Sequence, residues 1–127
     1  MNKKSILHLG DIIAFAVLTL IGFATHGETA LSFIPRMTIT FLPLLLGWFL
    51  LAPWLGLFDE QVIADPKNLW RIVLAMIFIA PLAATLRGAW LGDSVIPLFA
   101  LILGGSSALG IMVWRWVYIF IARLAAK

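Results

Sequence analysis

Four long apolar segments, separated by short polar connections, constrain the fold of this chain more than any other feature. They cover approximately residues 5–26, 37–56, 72–91 and 95–118. Each segment has about the 20 mostly apolar residues that a helix needs to cross a bilayer. The connections between them are too short to hold a soluble domain. The sequence therefore predicts one all-α domain over residues 1–127, an integral membrane bundle of four transmembrane helices.

The composition agrees with a chain that lipid surrounds. Hydrophobic residues make up 63% of the 127 residues and charged residues only 12%, whereas a globular domain has roughly half and a quarter. A soluble core of this size cannot bury so much apolar side chain, because a small domain leaves about a third of its unfolded surface exposed. A secretory signal peptide is the alternative for the first segment, but residues 24–26 make a poor cleavage site.

Lysine and arginine residues fall mainly on one side of the predicted bundle. Seven of the nine share that side: Lys3, Lys4, Lys67, Arg71, Arg115, Arg123 and Lys127. Arg36 and Arg87 fall on the other side. Because basic residues near helix ends stay in the cytoplasm, both termini are predicted to be cytoplasmic. The formal charge of +3 then reflects topology, and no nucleic-acid partner is expected.

Asp11 must lie inside the membrane, because residues 12–25 alone are too few to cross it. It lies about six residues into the first segment, or roughly 9 Å deep, where an unpaired carboxylate is costly. Arg115, on a helix that runs the opposite way, lies at similar depth and leans toward it. An ion pair between Asp11 and Arg115 is therefore predicted. The alternative is that Arg115 extends to the cytoplasmic headgroups among interfacial aromatic residues such as Trp114.

Two further polar residues lie near the outer helix ends. Arg87 lies about four residues, or roughly 6 Å, from the end of the third segment. Its predicted partners are His26, Glu28 and Asp93, and contact with a lipid phosphate is the alternative. His26 invites interpretation as a haem ligand or proton relay, but a single helix-end histidine with the distant His8 makes no ligand set. A capping or hydrogen-bonded role is the preferred interpretation.

No metal, cofactor or catalytic residue is predicted. The chain has no cysteine, which excludes disulfides, zinc–thiolate sites, iron–sulfur clusters and thiol nucleophiles. The sequence also contains no Ser-His-Asp set, no cluster of metal ligands and no glycine-rich phosphate loop. An enzyme is therefore the least favoured class of function.

Small residues and prolines mark candidate packing features. The fourth segment repeats small residues every four positions, at Ala100, Gly104 and Ala108 and again at Ser106 and Gly110. This pattern lets membrane helices approach closely, so we expect packing within the chain, with self-association or a lined substrate path as alternatives. Kinks are expected at two mid-helix prolines, either for packing or as part of a gate. These are Pro43 and Pro81.

The chain resembles a family of small prokaryotic membrane proteins, the domain of unknown function 3054 family. Five short motifs between residues 10 and 115 carry the resemblance: Gly10-Asp11, Gly22 with His26-Gly27, Pro43-Leu44-Leu45-Leu46-Gly47-Trp48, Arg87 after Pro81-Leu82, and Trp114-Arg115. The resemblance implies a four-helix protein of the inner (plasma) membrane. It also implies that Asp11, His26, Arg87 and Arg115 matter, without implying an activity.

Two function classes remain. The first is a non-enzymatic accessory or assembly subunit, which the short loops and the small-residue helix face favour. The second is a small transporter or channel for protons or a small solute, which the intramembrane charges favour. Four helices make a narrow path, so a transporter would work as a homo-oligomer. The expected partners are the lipid bilayer and either further copies of the chain or a larger membrane complex.

Overall fold

The computed structural model describes residues 3–25, 27, 30–92, 94 and 97–125, and these residues form helices and turns with no strand. The α-helices are α1 Lys3–Thr25, α2 Ile34–Leu51, α3 Glu60–Ile63, α4 Trp70–Leu91 and α5 Pro97–Ala125. Short 3-10 turns cover Leu31–Phe33, Ala52–Leu55 and Pro66–Leu69. Helices α1, α2, α4 and α5 are long and apolar enough to cross a membrane. The predicted all-α fold with four such helices is confirmed.

All four long helices extend beyond a predicted end, and α2 and α5 do so by the most. Helix α2 begins at Ile34, three residues before the predicted start, with Pro35 in its first turn. Proline fits there because the first N–H groups of a helix have no intrahelical partner. Helix α5 continues to Ala125, past the predicted end at 118, with Arg123 in its last turn. A cation there interacts favourably with the helix dipole.

The connection from α2 to α4 is more ordered than its sequence indicates. It contains α3 and two 3-10 turns rather than a plain loop. Asp59 caps α3 by accepting a hydrogen bond from the backbone N–H of Gln61 at 3.0 Å. Asp65 caps the following turn by accepting from the N–H of Lys67 at 2.9 Å. These two side chains satisfy backbone donors that the short elements leave free.

The long helices form a ring in which neighbours are antiparallel. Helix α1 packs against α2 and α5, and α4 packs against α2 and α5. The register shows the direction, since the first half of α1 meets the second half of α5 at Asp11 and Arg115. The first half of α2 likewise meets the end of α4 at Thr40 and Arg87. The architecture is an up-down-up-down four-helix bundle.

Apolar side chains cover both the inside and the outside of the bundle. Phe15, Trp48 and Ile79 are completely buried within it. Large apolar side chains are also exposed on the outside of every long helix, for example Leu20, Leu46, Ile77 and Leu101. Such a surface is unfavourable in water and suited to lipid.

The small residues of α5 contact two neighbouring helices. A Cβ atom added at Gly104 would lie 2.8 Å from the Cβ of Ala80 on α4. One added at Gly110 would lie 2.6 Å from Leu18 on α1. Of the other predicted packing residues, Ala108 is buried, Ala100 is half-buried and Ser106 is exposed. The close contacts at both glycines are therefore within the chain.

Both predicted kink positions lie inside helices that continue through them. Pro43 is buried in α2, and Pro81 is exposed in α4.

Candidate functional site

The carboxylate of Asp11 on α1 is fully buried and accepts four hydrogen bonds. Its Oδ1 accepts from Trp114 Nε1 at 2.9 Å and from Arg115 Nε at 2.9 Å. Its Oδ2 accepts from Trp48 Nε1 at 3.0 Å and from Arg115 Nη2 at 2.7 Å. A carboxylate has about four lone-pair positions. Residues of the same chain therefore satisfy its full hydrogen-bonding capacity.

The guanidinium of Arg115 on α5 completes this arrangement. Arg115 is only 2% exposed and pairs with Asp11 through two nitrogens. Its Nη1 donates to the backbone carbonyl of Leu57, and its Cζ lies 5.5 Å from the ring centroid of Trp48 and 5.6 Å from that of Phe58. Two-point pairs are stronger than single contacts. The guanidinium thus lies inside the bundle.

Two glycines allow the partners of this pair to reach it. A side chain at Gly10 would overlap the ring of Trp114, so the absence of a Cβ there lets the indole approach α1 and reach Asp11. Gly56 ends the turn after α2 in the left-handed region, with φ of 73°, where a residue with a Cβ is strained. The chain then returns to the bundle at Leu57, which is buried and turns its carbonyl to Arg115. We call Asp11, Trp48, Leu57, Trp114 and Arg115 the inner polar network.

Aromatic rings surround the inner polar network. The His8 ring meets Phe58 edge-on at 4.6 Å and Phe49 at 5.5 Å. Its buried Nε2 has no hydrogen-bond partner among the described residues. On the other side, Phe15 packs against Trp48 with ring centroids 5.6 Å apart. These rings exclude water, which strengthens the ion pair they enclose.

Arg87 lies in the opposite half of the bundle. Its Nε donates to Thr40 Oγ1 on α2 at 2.9 Å, and its Cζ lies 4.6 Å from the ring centroid of Phe99 on α5. Thr40 in turn donates to the carbonyl of Arg36 at 2.8 Å. Arg87 is half-buried and links α4 to both neighbouring helices. The partners predicted for it, His26, Glu28 and Asp93, lie outside the described residues.

The structure brings together some of the candidate residues and separates others. Asp11 and Arg115 are in contact, whereas Arg87 belongs to a separate group and His26 lies outside the described residues. Sequence reasoning missed Trp48, Thr40 and the carbonyl of Leu57 as partners. It assigned Trp114 to the membrane interface and did not predict that its indole N–H donates to Asp11. The signal that could have found it is its position beside Arg115 in the Trp114-Arg115 motif.

The described residues offer no evident metal chemistry. Among them, no three His, Asp or Glu side chains come together as a metal site requires. Asp11 and Arg115 neutralise each other, and buried pairs of this kind are strongly destabilised when one partner is removed. What the inner polar network can do physically is hold α1, α2 and α5 in one fixed arrangement.

The fold and its buried ion pair define a polytopic α-helical membrane protein. The model of the family described as "Protein of unknown function (DUF3054)" matches residues 8–118, and the chain belongs to this family. The match includes all five residues of the inner polar network and confirms the resemblance seen in the sequence motifs. No curated protein and no solved structure matches the chain.

Proposed function

We propose that this chain is a non-enzymatic accessory or assembly subunit of the inner (plasma) membrane, with both termini in the cytoplasm. The observation that carries the proposal is the closure of the inner polar network. The two oxygens of Asp11 are occupied by Arg115, Trp48 and Trp114, and Arg115 also donates to Leu57. The charged residues at the centre of the bundle are thus used for internal contacts.

A buried and saturated ion pair is poorly suited to chemistry. A catalytic acid or base must reach its substrate and exchange a proton with it. Asp11 and Arg115 are both shielded from the surface, with exposed fractions of 0% and 2%. This supports a role in fixing the helices. The broad apolar outer surface is then available to another membrane protein, since membrane helices associate by close van der Waals packing.

The test is to identify what accompanies the chain in its own membrane. The tagged full chain would be cross-linked in intact membranes, extracted in mild detergent and weighed by native mass spectrometry. A foreign membrane subunit in fixed ratio is the expected result. An unrelated four-helix membrane protein of similar size, carried through the same steps, controls for random capture. A clean homo-oligomer that carries flux would overturn the proposal.

The second candidate is a small transporter or channel for protons or a small solute, working as a homo-oligomer. A cavity around Arg87 in the outer half of the bundle favours it. Asp11 is not among the residues that line this cavity, which speaks against a continuous path. Proteoliposomes containing a pH-sensitive dye would decide. We expect no more proton flux than in liposomes with the unrelated control protein.

A further inference from the structure

The side chain of Arg71, in the first turn of α4, uses only part of its hydrogen-bonding capacity within the protein. Its Nη1 donates to the backbone carbonyl of Leu55 at 2.9 Å, and its Cζ lies 5.3 Å from the ring centroid of Trp70. Its Nε is buried without a hydrogen-bond partner, and its Nη2 makes no hydrogen bond among the described residues. A guanidinium carries five N–H donors. Arg71 is thus held in place and retains donors for a further acceptor.

No carboxylate pairs with Arg71 among the described residues. The connection from α2 to α4 contains three acidic side chains, but two of them cap short elements and the third is exposed in α3. These are Asp59, Asp65 and Glu60. Arg71 is half-buried, and a cation that is partly removed from water needs a counter-charge. The position of Arg71 therefore suits an anionic ligand that comes from outside the chain.

A second cation lies one turn before Arg71. The 3-10 turn Pro66–Leu69 leads directly into α4, so Lys67 and Arg71 follow each other along one continuous helical stretch. The side chain of Lys67 is exposed and has no ion pair or hydrogen bond among the described residues. Its ammonium is a flexible donor that can reach an anion beside Arg71. The start of α4 thus offers two positive charges that no acidic side chain of the described chain neutralises.

Both cations lie near the membrane boundary. Helix α4 is about 33 Å long, close to the hydrocarbon thickness of about 30 Å, and Arg71 is its second residue. Two tryptophans at the same end are strongly exposed, Trp70 by 54% and Trp54, next to Leu55, by 85%. Neither indole N–H has a hydrogen-bond acceptor among the described residues. Exposed tryptophans are typical of the headgroup region, where phospholipids have their phosphate groups.

We propose that Arg71, Lys67 and Trp70 bind the headgroup of an anionic phospholipid in the leaflet at this end of the bundle, with its phosphate against Arg71. Guanidinium groups match the geometry of phosphate oxygens, and the ammonium of Lys67 adds a second charge. Two cations favour an anionic lipid over a zwitterionic one, and the position at the membrane boundary favours a lipid over a water-soluble phosphate. This site goes beyond the proposed subunit function and does not depend on it.

The chain provides a matched cation for the test. Arg123 is exposed in the last turn of α5 and has no ion pair or hydrogen bond among the described residues. It lies at the same end of the bundle, because α5 ends where the antiparallel α4 begins. General attraction of an anionic lipid therefore acts on both arginines. Arg71→Gln removes the charge of the proposed site, Arg71→Lys retains it, and Arg123→Gln removes an equal charge elsewhere. Lys67→Glu reverses the second charge, with Arg123→Glu as its control.

The measurement is native mass spectrometry of the delipidated full chain in mild detergent, with phosphatidylglycerol or phosphatidylcholine of the same acyl chains added. We expect one phosphatidylglycerol to bind in preference to phosphatidylcholine. Its affinity should fall about tenfold or more in Arg71→Gln, as expected for the loss of a charged hydrogen-bond partner. Lys67→Glu should also lower the affinity. Arg71→Lys should retain the preference for phosphatidylglycerol, and both Arg123 variants should retain most of the affinity.

Several outcomes would overturn the proposal. Equal binding of the two lipids, or equal losses in Arg71→Gln and Arg123→Gln, would mean general charge attraction without a defined site. Competition by glycerol phosphate at the same concentration as the lipid would identify a water-soluble ligand instead. Melting curves of each variant accompany the titrations. If Arg71→Gln does not fold, because the carbonyl of Leu55 loses its donor, the comparison of Lys67→Glu with Arg123→Glu decides.

Discussion

At the scale of single residues, the arrangement around Asp11 compensates a charge that is fully buried. A buried carboxylate without partners is strongly unfavourable in a membrane. Here two guanidinium nitrogens and two indole nitrogens donate to it. The carboxylate of Asp11 therefore connects α1 to α2 and α5, which carry its hydrogen-bond donors.

The first prediction concerns the coupling between Asp11 and Arg115. Asp11→Asn and Arg115→Gln should each destabilise the bundle by about 3–5 kcal/mol, because each leaves one buried charge uncompensated. The double variant should cost clearly less than the sum. Thermal and denaturant unfolding in detergent would measure all three. Glu60→Gln, an exposed change, serves as the control and should stay within about 0.5 kcal/mol. Simple additivity would mean that the two residues are not energetically coupled.

The second prediction separates the ring of Trp48 from its N–H group. Trp48→Phe keeps an aromatic ring but removes one donor to Asp11, so we expect a loss of about 1.5–3 kcal/mol, typical of a hydrogen bond to a charged group, together with some loss of packing. Trp116→Phe alters an exposed ring and should have little effect. The same unfolding measurement compares them. Equal stability of the two variants would show that the indole N–H contributes nothing.

At the scale of helices, the packing of α5 against α1 and α4 depends on the positions of its glycines. Gly104 meets α4, Gly110 meets α1, and Gly105 between them faces open space. A Cβ at Gly104 or Gly110 would therefore overlap a side chain of a neighbouring helix, whereas a Cβ at Gly105 would not.

The third prediction follows from that difference. Gly104→Leu should disrupt the contact of α5 with Ala80 of α4, since adding even single methylenes to a close-packed contact costs about 1–3 kcal/mol and leucine adds more. Gly105→Leu should leave the melting temperature nearly unchanged. Expression level and melting in detergent would be compared for the two variants. Equal behaviour would show that the Gly104 surface tolerates bulk and is not closely packed.

Sequence reasoning succeeded where a buried charge needed a partner of opposite charge. It failed where a contact depends on the direction in which a side chain points. The depth of Asp11 and the opposite charge of Arg115 led to a pair, and these side chains lie 2.7 Å apart. The indole donors were missed because tryptophan commonly lies at the membrane interface, and no periodicity shows which way its N–H points. Thr40 was missed because a hydroxyl in an apolar helix commonly bonds its own backbone. Likewise, α3 was missed because four residues carry too little periodicity.

At the scale of the whole molecule, the two halves of the bundle differ in character. The half around Asp11 and Arg115 is closed around an ion pair and a cluster of rings, whereas the half around Arg87 holds a cavity that all four long helices line. Which half faces the cytoplasm remains a prediction from the distribution of basic residues.

The fourth prediction is the orientation itself. A reporter that works only in the cytoplasm should be active when it is fused after Lys127, and a reporter that works only outside should be active when it is inserted within residues 27–34. The reason is that seven of the nine basic residues are predicted to lie on the side of the termini. Paired alkaline phosphatase and fluorescent protein fusions would measure both positions. An exported C-terminus would reverse the orientation or imply an odd number of crossings.

The pairing of Asp11 with Arg115 also bears on how the chain is made. The two residues are separated by 104 positions, so ribosomal synthesis delivers the carboxylate to the membrane long before its guanidinium. Until α5 is inserted, every nascent intermediate contains an acidic group that lacks its guanidinium partner and one of its two indole donors. Neutralisation coincides with completion of the last helix. A chain that stops before residue 115 is thereby electrostatically different from a finished one, and membrane proteases could distinguish the two by that charge.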